Sequence, residues 1–227
     1  MKKITFLFII GAFAMSGYGQ TDKIVLVNTQ KVGADRYRDI RGTPYFFESW
    51  QKGKILSGSG EVFEVEEVNY NGFTQNFEVR DGEEYIELDA KWYLQVEFNQ
   101  DENPESKEYQ EVEKIVFQKR GQANFSDRWM QVLYKGTEYS LWKEFLVAKE
   151  EKVFQNVGKE VIMERFSGKT TYYILAQGEM VRVKGKRKKT LAELGKASEA
   201  EKFVKKEGLN LKTDVGMIQL VRFYDAQ

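Results

Sequence analysis

From Ile24 to about Lys184 the chain alternates short runs rich in Val, Ile, Tyr, Phe and Trp with Gly, Asn and Asp positions. A period of two is what a half-buried strand imposes, because successive side chains point to opposite faces. The clearest unit runs from Phe77 to Leu88: Phe77 and Val79 fall on one face, Glu78 and Arg80 on the other, and Ile86 and Leu88 return to the apolar side. Asp81-Gly82 between them suits the positive φ angles of a tight hairpin turn. Two more hairpins are predicted. Met130–Tyr134 turns near Lys135-Gly136 into Tyr139–Trp142, and Tyr172–Ala176 turns near Gln177-Gly178 into Met180–Val183. Further strands are expected at 24–27, 62–68, 92–98, 112–118 and 159–166, with Gly58-Ser59-Gly60 as a hairpin tip. The sum is a mainly β fold, an antiparallel multi-stranded sandwich or barrel-like sheet.

The pattern changes after Lys189. Thr190-Leu191-Ala192-Glu193 and Ser198-Glu199-Ala200-Glu201 match the capping-box order, and Gly195 and Gly208 stand where such helices would stop. Val215, Ile218 and Val221 recur at helical spacing within Asp214–Tyr224. Residues 20–188 therefore read as a β-rich domain and residues 189–227 as a short helical C-terminal segment packed on the sheet. Asp101–Glu108, the most polar stretch, reads as a surface loop.

Residues 1–19 have the order of a secretory signal peptide: Lys2 and Lys3, an apolar stretch from Ile4 to Met15, then Ser16-Gly17-Tyr18-Gly19. Export to the periplasm, or to an outer-membrane-associated or extracellular position, is the expectation. Removal of the peptide takes two of the 35 basic residues and none of the 35 acidic ones, leaving a net charge of about −2. No later run is long enough for a transmembrane helix in the mature chain.

Composition narrows the chemistry. The chain has no cysteine and no histidine, which removes disulfides, thiolate nucleophiles, imidazole bases and nearly all zinc or haem sites. No catalytic, cofactor-binding or metal-ligating residue is assigned, and no cofactor is expected. The balance of charge argues against nucleic acid as a partner. Ser167-Gly168-Lys169-Thr170 ends like a phosphate-binding loop, but Met163 stands where its first glycine is needed, so a turn between two strands is expected there.

Two features remain as candidate chemistry. Arg182, Lys184, Lys186, Arg187, Lys188 and Lys189 place six positive charges in eight residues, a patch for an anion or a partner, or simply a solvated connection. The aromatics Tyr45, Phe46, Phe47 and Trp50, Trp92-Tyr93, and Trp129 with Tyr134, Tyr139 and Trp142 are core residues or, if exposed, a stacking surface.

Gly42-Thr43-Pro44-Tyr45-Phe46, Trp50, Gly53, Asn69-Tyr70, Val132–Gly136 with Leu141, Tyr172-Tyr173 with Gly178, and Leu191, Leu194, Phe203, Val204, Gly208–Leu211 and Tyr224 together carry a resemblance. The chain resembles a group of uncharacterised exported proteins of Bacteroidetes-type bacteria. That resemblance implies an exported, mostly β protein and assigns no catalytic residue.

The reading is a non-enzymatic binding or assembly module that contacts another envelope protein or a cell-surface polymer. The alternative is a carboxylate-based glycan hydrolase drawing on Glu61, Glu64, Glu66 and Glu67, or on Glu83, Glu84, Glu87 and Asp89, since such chemistry needs two carboxylates and no histidine.

Overall fold

The computed structural model describes residue 26 and residues 29–99, 114–119, 128–156, 159–183, 191, 194 and 197–227. These residues form one antiparallel sheet of eleven strands: β1 (Thr29–Val32), β2 (Gln51–Ser57), β3 (Val62–Asn71), β4 (Asn76–Asp81), β5 (Glu84–Leu88), β6 (Tyr93–Asn99), β7 (Lys114–Lys119), β8 (Trp129–Lys135), β9 (Tyr139–Asn156), β10 (Lys159–Ala176) and β11 (Glu179–Arg182). Two helices follow, α1 (Ala197–Lys206) and α2 (Asp214–Asp225). The spatial order is β1-β5-β4-β3-β2-β6-β7-β8-β9-β10-β11, and the sheet does not close. The mainly β fold with a short helical tail is thus as the pattern predicts.

The sheet curls strongly. β4 and β8 lie five strand spacings apart, which on a flat sheet is about 24 Å. Yet the rings of Phe77 on β4 and Trp129 on β8 meet edge-on with centroids 4.9 Å apart. Phe77 also touches Phe117 at 5.3 Å and Phe98 at 6.2 Å, and Tyr70 touches Phe117 at 5.3 Å. The inner face is therefore wrapped around one aromatic cluster, completed by Ile55, Val68, Val96, Leu88 and Tyr93. Trp129, Trp142, Phe47 and Tyr93 are buried as core, whereas Trp92 is 53% exposed.

Two glycines permit the wrapping. At Gly53 a Cβ would lie 2.8 Å from Val68 Cγ1 and 2.9 Å from the Glu97 carbonyl. At Gly72, in the β3–β4 turn, it would lie 2.7 Å from the Phe145 ring and 2.9 Å from Val147. That close approach lets the Val147 N–H donate to the Gly72 carbonyl at 2.9 Å, joining the β3–β4 turn to β9 across the open side of the curl.

The hairpin read from Phe77 to Leu88 is present, with Gly82 at φ 63°. Two expectations are corrected. The Ser167–Thr170 turn does not exist: β10 runs straight through it, and Gly168 leaves room beside Phe145, whose ring a Cβ there would meet at 3.2 Å. β9 likewise continues far past Trp142, through a charged stretch that carries no apolar alternation. Glu78 lies on the face opposite Phe77 and Val79, as the alternation predicts, and is fully buried there. The predicted strand at 24–27, the Asp101–Glu108 loop and the signal peptide lie outside the described residues, apart from Leu26.

The helical tail docks on the same face. Alternation along β9 puts Leu141, Lys143, Phe145 and Val147 together. Leu141 packs with Leu133 and Ile174 against Met217, Ile218 and Val221 of α2, while Phe145 packs on the aromatic cluster. Between the two sits Lys143, whose Nζ meets Asp214 Oδ2 at 2.8 Å; the Tyr172 hydroxyl donates to the other oxygen at 2.6 Å. α2 begins with Thr213, whose hydroxyl accepts from the Gly216 N–H at 3.2 Å. Ser198 does not cap α1, since the helix already starts at Ala197, but Gly208 ends it at φ 64°.

At the far end of α2, Asp225 accepts the N–H groups of Tyr139 at 2.9 Å, Glu138 at 2.8 Å and Thr137 at 3.2 Å, and the Tyr134 hydroxyl at 2.8 Å. These donors, the Tyr139 N–H foremost, hold its carboxyl below the ordinary carboxylate range. The folded form binds that proton more weakly than the unfolded chain does, so the contribution is complete above the ordinary carboxylate pKa of about 4 and is lost as pH falls through the lower folded value. Asp225→Asn should lower the melting midpoint at neutral pH and flatten the acid limb of a stability–pH curve. An unchanged acid limb would count against this clamp. Phe77→Ala should cost about 3–5 kcal/mol in denaturant unfolding, because the cavity it leaves is lined by rings on four other strands.

Candidate functional site

Four of the eight carboxylates expected as hydrolytic candidates sit on cations. Glu64 accepts from Lys54 at 2.7 Å, Glu66 pairs with Lys52 at 3.2 Å, Glu84 pairs with Lys31 at 2.5 Å, and Glu67 receives the guanidinium of Arg80. Glu61 accepts from the Ser59 hydroxyl at 2.9 Å. Glu87 and Asp89 are brought together in the wall of one cavity of about 470 Å³, with Gln30, Asn76 and Lys91. There Asn76 Nδ2 donates to Glu87 at 3.3 Å, and the Lys91 N–H donates to Asp89 at 2.9 Å.

Two buried carboxylates were not legible from the pattern. Glu78 on β4 lies under the chain that precedes β2: Arg36 Nη2 reaches it at 2.5 Å, the Tyr45 hydroxyl donates at 2.9 Å and Asn71 Nδ2 at 2.7 Å. Burial and the adjacent Glu78 both push the Tyr45 hydroxyl well above its ordinary value. Burial opposes the charge on Arg36, yet Glu78 holds it above its ordinary value. On β9, Glu144 accepts from Arg128 at 3.0 Å and from the Tyr173 hydroxyl at 2.9 Å. Each acid is thus held by an arginine and a tyrosine. The signal for Glu78 is its place beside Asn69 and Asn71, two amides on the matching face of the neighbouring strand.

Of the basic patch, Arg182 ends β11 and pairs in register with Tyr173. Lys184, Lys186, Arg187, Lys188 and Lys189 lie outside the described residues.

The most distinctive surface is the outer half of the β9–β10 hairpin. β8 pairs with β9 only as far as Lys143, and β11 pairs with β10 only from Tyr173 to Ala176. Beyond Val147 the two long strands have each other. Phe166 still anchors them, packed by Tyr37 at 5.2 Å and Phe73 at 5.4 Å. On the β10 side Arg41 bridges: its N–H donates to the Glu164 carbonyl at 3.0 Å and its carbonyl accepts from the Phe166 N–H at 2.9 Å. Past that point a two-stranded ribbon continues for about 20 Å at the usual rise per residue.

The ribbon carries charges of both signs. Lys149 meets Glu164 at 2.7 Å and Arg165 meets Glu150 at 3.7 Å. Near its end Val153 and Ile162 are cross-strand partners on one face, 60% and 64% exposed, and Val161, 42% exposed, stands on the other. A lone two-stranded ribbon gains little by itself in water, and apolar side chains at its tip gain less. Sequence reading placed a strand at 159–166 and missed its partner, because Lys149–Lys152 is a run of four charged residues.

No family model matches the chain, no curated protein is similar to it and no solved structure matches it. Among the described residues no group of acidic side chains is arranged to hold a metal ion, and no helix is long and apolar enough to cross a membrane.

Arg36→Ala should destabilise the protein by about 3 kcal/mol in denaturant unfolding, because it strips the cation from a fully buried carboxylate. Arg36→Ala combined with Glu78→Gln should cost less than that single change. A double variant as unstable as the sum of the two singles would show that the pair is not coupled.

Proposed function

We propose that this chain is an exported, non-enzymatic binding module of the bacterial envelope that docks another protein through the β9–β10 ribbon. The observation that carries the reading is the exposed pair Val153–Ile162 at the end of a ribbon that, among the described residues, no further strand flanks on either long side. Exposed apolar pairs on a projecting element favour burial against a partner. The mixture of Lys149, Glu150, Glu151, Lys152, Glu164 and Arg165 supports a protein rather than a polyanionic polymer, since a polyanion selects a surface of one sign. Export is supported by the order of residues 1–19.

The non-enzymatic part is supported by the occupancy of the buried acids. One oxygen of Glu78 meets Arg36 and Tyr45 and the other accepts from Asn71, while Glu144 divides its two oxygens between Arg128 and Tyr173. An acid working on a glycan needs an oxygen facing substrate.

A photo-crosslinking side chain placed at Val161 in cells should capture one stoichiometric envelope protein. Val153→Ser with Ile162→Ser should abolish that crosslink while shifting stability by no more than about 0.5 kcal/mol, as exposed positions do. Undiminished crosslinking in the double variant would refute the ribbon as the docking surface. Glycan turnover by the purified chain that disappears in Glu87→Gln or Asp89→Asn would refute the non-enzymatic reading.

A further inference from the structure

We propose that the partner joins as an added strand along the outer edge of β9, so that the ribbon reads an extended polypeptide and not a folded face. This deepens the docking reading above and rests on it.

The hydrogen-bond phase of the ribbon identifies the edge. In an antiparallel pair, residues two apart send their N–H and C=O groups to the same side. Val147 donates away from β10, to Gly72 at 2.9 Å, and across the ladder Phe166 donates away from β9, to Arg41 at 2.9 Å. Val147 pairs with Gly168 and Lys149 with Phe166, so both strands give the same phase. Lys149, Glu151 and Val153 therefore turn their backbone groups outward. Among the described residues none bonds to these groups, and residues 148–153 are all exposed.

The chain already uses this mode at both margins of the ribbon. Gly72 places a backbone carbonyl on the β9 edge at Val147, and Arg41 lies parallel to β10 at Arg165. Each is a short length of main chain laid against the side of the hairpin. The open stretch from Lys149 to Val153 continues the edge that Gly72 begins, and it offers room for about five extended residues.

Side chains give the added strand a pattern. Lys149 and Glu150 share charge with Glu164 and Arg165 across the ribbon, whereas Glu151 and Lys152 make no ion pair among the described residues. An antiparallel partner complements the edge with an apolar residue opposite Val153, an acid opposite Lys152, bases opposite Glu151 and Glu150, and an acid opposite Lys149. Charge on an open edge also discourages indiscriminate pairing.

Two labelled synthetic peptides of identical composition test this against the full chain by fluorescence anisotropy. Thr-Ile-Glu-Lys-Lys-Glu-Val matches the native edge. Thr-Ile-Lys-Glu-Lys-Glu-Val matches a Glu151→Lys/Lys152→Glu variant, whose backbone is untouched. The native chain should prefer the first and the variant the second, each by about tenfold or less, the scale of one or two cross-strand pairs. Glu151→Pro, which deletes one outward N–H, should weaken the first peptide by about tenfold. The same peptide preference in both proteins, no saturable binding up to millimolar peptide, or full affinity in a folded Glu151→Pro chain would each overturn strand addition. If the Val161 crosslink still depends on Val153 and Ile162 in that event, docking through the ribbon stands and only the strand mode falls.

Discussion

The contact between Phe77 and Trp129 organises this molecule. A chain without cysteine has no covalent cross-link to restrict its unfolded state, so its order comes from packing. An eleven-stranded sheet left flat would bury one face against nothing. Curling brings β4 over β8, and the rings of Tyr70, Phe77, Phe98, Phe117 and Trp129 then meet at tilted or edge-on angles. Such geometry lets the positive edge of one ring face the negative face of the next. Gly53 and Gly72 have no side chain to obstruct the bend.

The remainder follows from where the curl stops. β8 begins at Trp129, so its ladder with β9 reaches only to Lys143; beyond it the inner face of β9 meets the β3–β4 turn at Gly72, and on β10 Phe166 packs with its aromatic neighbours. The two longest strands then run on without a sheet to support them. On the opposite side of Lys143, the same face receives α2, and the buried Lys143–Asp214 pair with the Tyr172 hydroxyl closes the seam between ring cluster and helix. Buried pairs of this kind add less to stability than their charges suggest, since each ion is first desolvated. Their geometry fixes where the helix starts.

The same logic separates the two kinds of acid in the protein. Glu78 and Glu144 are buried, each satisfied by an arginine and a tyrosine, and serve to hold the segment before β2 and the start of β8 against the sheet. The acids of the ribbon are exposed and exchangeable. The docking proposed for this ribbon asks that its hydrogen-bonding groups and charges stay available, and low intrinsic stability is what such a surface tolerates.

Local sequence determined that the protein is mainly β, that Phe77–Val79 turns at Asp81-Gly82 into Ile86–Leu88, and that a helical tail follows, because these depend on local period, turn chemistry and helix stops. The absence of cysteine and histidine likewise limited the chemistry before any fold was known. Only the tertiary structure decided that Glu78 lies inside, since its burial comes from Arg36 and Tyr45, which are 42 and 33 positions away. It also decided that Gly168 continues a strand, where it leaves room for a ring on β9. And it made Lys149–Lys152, to which the pattern assigns no element, part of a strand: a charged run has no apolar side to show its period, and what extends it is the ladder to β10.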